Sequence, residues 1–293
     1  MKIYDFSPFN NENIICEIKS FENKKWMDQT HIFEFDRTFQ NVEKLYNFNL
    51  HVDNKLIYHK IPASKLFVDD TLKAKVKRKL KSLSGTGIIE FGDGYVVGNA
   101  WLNEAIQRNY SQKIIENIRI DDDDILIFSD VDEIIDSDNR EEIIKEVYKH
   151  GIITIKLSLT TYYFNLKLKN IGGPEDYSYR VFIMTGKRYK SLNVTIDMIR
   201  KAGERGRLVG LVYCPDKILG VHHSSLGDID FIFNKLKSFS HIELKKYTNK
   251  ENIEELIKNN ESYLEGSSTF VDNKMKQLSS VVENMPRYKK FFI

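Results

Sequence analysis

The run Ile125-Leu126-Ile127-Phe128-Ser129-Asp130-Val131-Asp132-Glu133-Ile134 decides how the chain is interpreted. Its first four residues are apolar and predict a buried strand. Three carboxylates follow at the strand's end, where charges beside a core cost free energy unless cations or hydrogen-bond donors compensate them. Hard cations such as Mg²⁺ and Mn²⁺ prefer oxygen ligands and typically share one or two protein carboxylates with substrate phosphates. The D-x-D spacing therefore predicts a divalent metal site at Asp130 and Asp132.

Strand-like and helix-like segments alternate on both sides of this run. Periodicity predicts strands over residues 2–6, 31–35, 56–61, 125–128 and 152–157, and helices over 12–21, 99–118 and 139–150. Strands separated by helices indicate the α/β class, with a mostly parallel sheet that has helices on both faces. Such sheets bind ligands outside the carboxyl ends of their strands. We therefore expect the chemistry just after each strand.

Composition excludes several classes of protein. The 44 Lys and Arg residues against 42 Asp and Glu leave a formal net charge of +2, which does not indicate a nucleic-acid partner. A hydrophobic content of 41% is that of a folded protein rather than a disordered one. Cys16 and Cys214 lie far apart, outside the C-x-x-C spacing of redox and zinc sites. With no signal peptide and no transmembrane run in the sequence, we expect a cytoplasmic protein.

The chain is expected to form one domain over residues 1–243, followed by a helical extension over 244–293 that packs on it. Two basic segments, the run 73–81 and the terminal Arg287-Tyr288-Lys289-Lys290-Phe291-Phe292-Ile293, are candidates for peripheral contact with an anionic membrane. For the run 73–81, a solvated helix face is the favoured interpretation.

Five segments of the chain carry a resemblance through their joint order. They are Lys2-Ile3-Tyr4-Asp5 with Phe9 and Asn11-Glu12; Ile32-Phe33-Glu34 with Thr38-Phe39; Trp101, Glu104 and Arg108-Asn109; Ser129-Asp130-Val131-Asp132-Glu133-Ile134; and His223, Ser225, Leu226-Gly227, Lys235-Leu236, Ser238-Phe239-Ser240-His241 and Glu243. In this order they resemble glycosyltransferase family 17, whose members include the β-1,4-mannosyl-glycoprotein N-acetylglucosaminyltransferases.

The resemblance implies a GT-A fold with a Rossmann-like sheet and transfer of a sugar with inversion. The implied donor is a UDP-sugar, most simply UDP-GlcNAc, and the implied acceptor is a hydroxyl of a glycan or a lipid-linked saccharide. A Mn²⁺ or Mg²⁺ ion held by Asp132 neutralises the leaving diphosphate. Asp130 holds the metal through water or binds the donor ribose.

Inversion also needs a carboxylate that takes the acceptor's hydroxyl proton. Glu175 and Asp176, in a Gly-Pro loop next to aromatic residues, are the predicted base region, with Glu133 and Asp228 as rivals. His223 is a candidate metal ligand, or as imidazolium a donor to the β-phosphate. His222, where the family usually has Trp, is expected to be structural.

Donor-binding residues are expected on one helix and after one strand. Trp101, Glu104 and Arg108 share a helical face at i, i+3 and i+7, which predicts that Arg108 approaches the donor above Trp101. Glu34 ends a predicted strand and is a candidate for nucleoside recognition, while Arg37 nearby is a candidate phosphate contact.

Two other functions remain open from the sequence. In a haloacid-dehalogenase-like phosphohydrolase, Asp130 attacks phosphate, although that family normally has Gly-Thr where this chain has Glu133-Ile134. In a non-catalytic carbohydrate-binding module, the acids hold a structural Ca²⁺.

Overall fold

The computed structural model describes residues 1–63, 66–67, 99–169, 177–204, 212–238, 249–263 and 267–293. The strands are β1 Ile3–Phe9, β2 Gln29–Phe35, β3 Leu56–Ile61, β4 Ile125–Phe128, β5 Glu133–Ile135, β6 Ile152–Thr154, β7 Lys156–Thr161, β8 Leu166–Lys169, β9 Tyr177–Ser178, β10 Phe182–Thr185, β11 Ile218–Ser224 and β12 Ser268–Val271. The helices are α1 Asn13–Lys24, α2 Asn99–Ile115, α3 Arg140–His150, α4 Gly186–Lys190, α5 Ile196–Glu204, α6 Ile229–Ser238, α7 Lys250–Asn259, α8 Ser279–Glu283 and α9 Met285–Tyr288.

The first sheet has the strand order β3-β2-β1-β4-β10-β6. Strands β3, β2, β1 and β4 are parallel, whereas β10 runs antiparallel to both β4 and β6. Tyr4 and Leu126 pack with α2 and α5 on one face, and Ile125 and Ile183 pack with α3 on the other. The α/β class is therefore confirmed, and the parallel arrangement holds for four strands of this sheet.

A second sheet was not expected from the sequence. Its order is β12-β8-β7-β11-β5, with β9 beside β7, and only β7 and β11 are parallel. The strand predicted over 152–157 is divided, because β6 belongs to the first sheet and β7 to the second. Ile155, between them, is buried in the same core cluster as Ile153 and Leu157. Ile153, Ile155 and Leu157 keep a period of two across the break, so the pattern does not show where the chain changes sheets.

The C-terminal segment is more than the predicted helical extension. Its strand β12 pairs with β8, and Leu278, Val281, Tyr288 and Phe291 pack in one cluster with Ile15 of α1. Since Tyr288 and Phe291 are buried, they offer no apolar surface to a membrane. Arg287, Lys289 and Lys290 of the same tail are exposed, and their contact with an anionic membrane stays a prediction.

The other basic segment, 73–81, lies outside the described residues. Among the described residues, no helix is long and apolar enough to cross a membrane.

Glu22 of α1 is buried and joins that helix to two distant parts of the chain. Its carboxylate accepts the N–H of Ser280 at 2.7 Å, the hydroxyl of Ser279 at 3.1 Å and the N–H of Ser137 at 3.3 Å. Burial raises the pKa of Glu22, but the hydrogen bonds from Ser137 and Ser280 and the charge of Lys25 outweigh it and lower the pKa. Ionised Glu22 therefore stabilises the docking of the C-terminal segment.

We expect Glu22→Gln to lower the free energy of unfolding at neutral pH by about 1–3 kcal/mol, because an amide replaces a charged acceptor. The folded pKa lies below the unfolded value, so the carboxylate's contribution is present above the unfolded pKa and is lost as the pH falls through the folded pKa. Chemical denaturation should show the difference between wild type and variant narrowing in acid.

Glu283→Gln is the matched control, because Glu283 is exposed and pairs with Lys25 at 2.9 Å. It should change stability little at any pH. If Glu22→Gln lowers the free energy of unfolding by the same amount at neutral and at acid pH, this role of the ionised carboxylate is contradicted.

Candidate functional site

The acids after β4 lie at the point where the strand order of the first sheet reverses. From β1 the parallel strands run to β2 and β3 on one side, and β4 lies on the other. Ligands bind at such switch points, outside the carboxyl ends of the strands. Two depressions meet there, and Asp130 and Arg108 line both.

The two depressions differ in their side chains. The first, here the aromatic depression, has about 290 Å³ of empty space including its open mouth and is lined by Phe6, Phe33, Phe128, Phe182, Arg180 and Arg200 among others. The second, here the acidic cleft, has about 530 Å³ of empty space including its open mouth. It is lined by Asn10, Glu12, Glu104, Gln107, Asp132 and Lys235 among others. An apolar and a polar part of one ligand fit such a pair of surfaces.

Asp130 is held by two arginines. Its Oδ2 lies 2.6 Å from Nη2 of Arg200 and 3.1 Å from Nη2 of Arg108. Burial alone raises the pKa of Asp130, but the two guanidinium groups outweigh it and keep the pKa well below its usual range. Asp130 is therefore an anchored carboxylate with part of its surface, 24%, still exposed.

Asp132 is held by a lysine and lies beside a histidine. Its Oδ2 accepts from Nζ of Lys235 at 2.9 Å, and its Oδ1 lies 3.5 Å from Nε2 of His222. Burial alone raises the pKa of Asp132, but Lys235 and His222 together lower it well below its usual range. Lys235 also lies 3.7 Å from Glu12, so its ammonium bridges two carboxylates of the acidic cleft.

Glu133 is placed behind the cleft. Its side chain is fully buried, and its two oxygens accept from Arg200 at 2.8 and 2.9 Å. The N–H of Asp130 donates to the same carboxylate at 2.8 Å. A general base must reach the hydroxyl that it deprotonates. In this structure the Glu133 carboxylate binds Arg200 and the loop backbone, and its role as a base stays a prediction.

The two histidines of β11 point to opposite faces, as successive residues of a strand do. His222 lies beside the Asp132 and Glu133 carboxylates, although it was expected to be structural. His223 instead has Nδ1 2.7 Å from Oγ1 of Thr160 and its ring against Phe164. Burial and His222 lower the pKa of His223 to about 3, which leaves its ring neutral rather than imidazolium.

The site offers carboxylate oxygens to a metal but no complete ligand set. Among the described residues, no group of three or more His, Cys, Asp or Glu side chains is arranged to hold an ion. The charges at the end of β4 are compensated by Arg108, Arg200 and Lys235. A hard cation fits Asp132 and its neighbour Asp130 in donor chemistry, provided that Lys235 moves and a substrate supplies further oxygens.

The predicted donor-binding residues are divided between the site and the loop after β2. Glu104 accepts from Nη2 of Arg108 at 2.7 Å, and both line the acidic cleft, whereas Trp101 of the same helix is half-buried and lines neither depression. Glu34 is buried and accepts from Tyr58, Lys44 and the N–H groups of Asn47 and Phe48.

Arg37 also serves that loop. Its guanidinium donates to Glu43 at 2.5 Å and to the carbonyl of Asn41 at 3.2 Å. Glu34 and Arg37 therefore hold the loop after β2 in the structure. The predicted bases Glu175 and Asp176 lie outside the described residues.

Sequence analysis missed three residues that hold the loop of residues 129–133, here called the acid loop. Arg200 on α5 belongs to no motif, and Lys19 is one of two lysines in the amphipathic helix α1. Lys235 lies in one of the segments that carry the family resemblance, and this was the signal by which the sequence could have indicated its role.

Comparison with known protein families and with curated proteins finds no match to this chain.

We expect Arg200→Met to lower the free energy of unfolding by about 3–5 kcal/mol, because Glu133 and Asp130 then remain buried without their shared cation. Urea denaturation checks this value. Arg119→Met is the control, since Arg119 is exposed and pairs only at the surface with Asp121 at 3.2 Å. If both variants lower the free energy of unfolding by the same small amount, the stabilising role of the buried Arg200 is contradicted.

Proposed function

We propose that the protein is an inverting, metal-dependent glycosyltransferase of the GT-A type that uses a nucleotide-sugar donor. One observation carries the proposal: Asp130 and Asp132 follow a central parallel strand and face one cleft at the switch point of the sheet. The resemblance to glycosyltransferase family 17 favours UDP-GlcNAc as donor and a glycan or lipid-linked saccharide as acceptor.

The side chains that line the two depressions support a donor that lies across Asp130. The aromatic depression suits a nucleoside, because apolar rings form its walls and Arg180 lies at its edge. The acidic cleft suits the sugar and the diphosphate, because carboxylates and Lys235 offer partners to hydroxyl and phosphate oxygens. In this arrangement Asp130 is next to the ribose and Asp132 next to the diphosphate.

Asp132, with Asp130 beside it, would hold Mn²⁺ or Mg²⁺. The ion supplies Lewis-acid neutralisation of the charge that develops on the leaving diphosphate. Arg108 and Arg200 keep Asp130 ionised and oriented, since each donates to its carboxylate. His222 lies within 3.5 Å of Asp132 and orients that carboxylate.

The base remains the predicted Glu175 and Asp176 region, with two further carboxylates in the acidic cleft. Glu12 accepts the N–H groups of Asn10 and Asn11 through Oε2. Glu104 uses Oε1 for Arg108, and its buried Oε2 has no hydrogen-bond partner among the described residues. An acceptor hydroxyl in the cleft would meet Glu104 before it meets Glu133.

The proposal is tested by calorimetric titration of UDP-, GDP- and CMP-sugars with and without Mn²⁺. We expect metal-dependent binding of UDP-sugars, at least about tenfold weaker in Asp132→Asn because a metal ligand is lost. Asp216→Asn is the control, since Asp216 is fully exposed and has only Lys156 at 3.8 Å. Bound sugars are then offered with saccharide acceptors to detect transfer.

Absence of nucleotide binding under every metal condition contradicts the proposed function. Release of phosphate from phosphomonoesters, abolished by Asp130→Asn, would instead establish the phosphohydrolase. The structure gives that alternative little support, because both oxygens of Asp130 accept from arginines.

A second prediction concerns Lys235, the cation that binds Asp132 in this structure. We expect Lys235→Gln to bind Mn²⁺ more tightly without nucleotide, by about tenfold, because the ion no longer has to displace the ammonium from Oδ2. Lys237→Gln, two residues on in the same helix, is the control, since Lys237 lies over the ring of Phe233. Weaker Mn²⁺ binding in Lys235→Gln than in the control contradicts a metal on Asp132.

A further inference from the structure

Lys19 of α1 is a buried cation directed at the loop that carries the acids. Its Nζ donates to Oγ of Ser129 at 2.6 Å, to the carbonyl of Glu133 at 2.8 Å and to the carbonyl of Asp130 at 3.2 Å. An ammonium has three hydrogens, and these three oxygens account for them. The lysine thus contacts the loop at its beginning and at its end.

Asp130 and Glu133 are also joined to each other by hydrogen bonds. The N–H of Glu133 donates to the carbonyl of Asp130 at 3.0 Å, and the N–H of Asp130 donates to the Glu133 carboxylate at 2.8 Å. Lys19 therefore holds both carbonyls of a closed turn. Asp132 lies within that turn, so the position of its backbone depends on the ammonium.

Asp5 of β1 compensates the charge of Lys19. Its Oδ2 lies 3.3 Å from the ammonium and accepts from Ser7 and Asn23, while its Oδ1 accepts from Ser129 at 2.8 Å. A buried ion pair seldom stabilises a fold more than an apolar pair of the same volume does. Unlike an apolar pair, Lys19 and Asp5 form hydrogen bonds to the loop, and these bonds fix its position.

We infer that Lys19 is a positioning residue of the proposed transfer reaction. It lines neither depression and acts through the backbone of Asp130 and Glu133, which sets where the Asp130 and Asp132 carboxylates stand. The arginines and Lys235 hold these carboxylates through their side chains, and Lys19 holds them through their main chain. The part of this inference that concerns the transfer reaction rests on the proposed function. The part that concerns the position of the loop rests only on the contacts of Lys19.

The test uses a double variant, Asp5→Asn with Lys19→Met, because Lys19→Met alone leaves Asp5 buried without a cation. Hydrogen–deuterium exchange of the full chain is compared with wild type and with Glu22→Gln, a destabilised variant of the same helix. We expect amides of residues 129–133 to exchange at least about tenfold faster in the double variant than in the control, because charged hydrogen bonds to the loop are lost. The amides of β2 should match those of the control.

The second readout is donor turnover. A misplaced carboxylate should lower kcat by about 100-fold while KM for the donor changes much less. Faster exchange that is spread evenly over the chain, or a kcat equal to that of Glu22→Gln, overturns the positioning role. If wild type turns over no nucleotide sugar, the proposed function fails, and loop-specific exchange still decides whether Lys19 holds the loop.

Discussion

Compensation of negative charge at the end of a buried strand is the constraint on which this structure depends. Carboxylates placed there without partners cost several kcal/mol each. The chain meets this requirement with four cations from four different helices: Lys19 of α1, Arg108 of α2, Arg200 of α5 and Lys235 of α6. One side chain from each of these four helices therefore reaches the same short loop, and α2 and α6 also line the acidic cleft beside it.

The acid loop is also one of the connections between the two sheets. It leaves β4 in the first sheet and continues into β5, which pairs with β11 in the second. This pairing is close, because a Cβ at Gly220 would lie 2.2 Å from the carbonyl oxygen of Ile134. It also places His222 opposite Glu133, next to the cleft. The second sheet thus supplies one wall of the acid loop, although a separate second sheet was not expected from the sequence.

Short-range patterns predicted what depends on short-range physics. The apolar run of β4, the acids that follow it and the α/β class were visible because burial has a fixed period along each element. The compensating cations were not, since Arg200 lies 70 positions from Asp130 and no local pattern marks it. Alternation along β11 requires that only one of His222 and His223 faces the acids, but it does not say which. That choice depends on the pairing of β11 with β5.

The two aspartates are compensated by different kinds of cation, and this difference separates their chemistry. Two planar guanidinium groups hold Asp130, and Arg200 is itself fixed by a two-point contact with Glu133. Such forks are rigid and remain charged in any environment. One ammonium on a flexible stem holds Asp132, and an incoming cation replaces such a contact more readily. Asp130 is therefore held by two rigid groups and Asp132 by one flexible group, which agrees with the roles proposed above for Asp130 at the donor and for Asp132 at the ion.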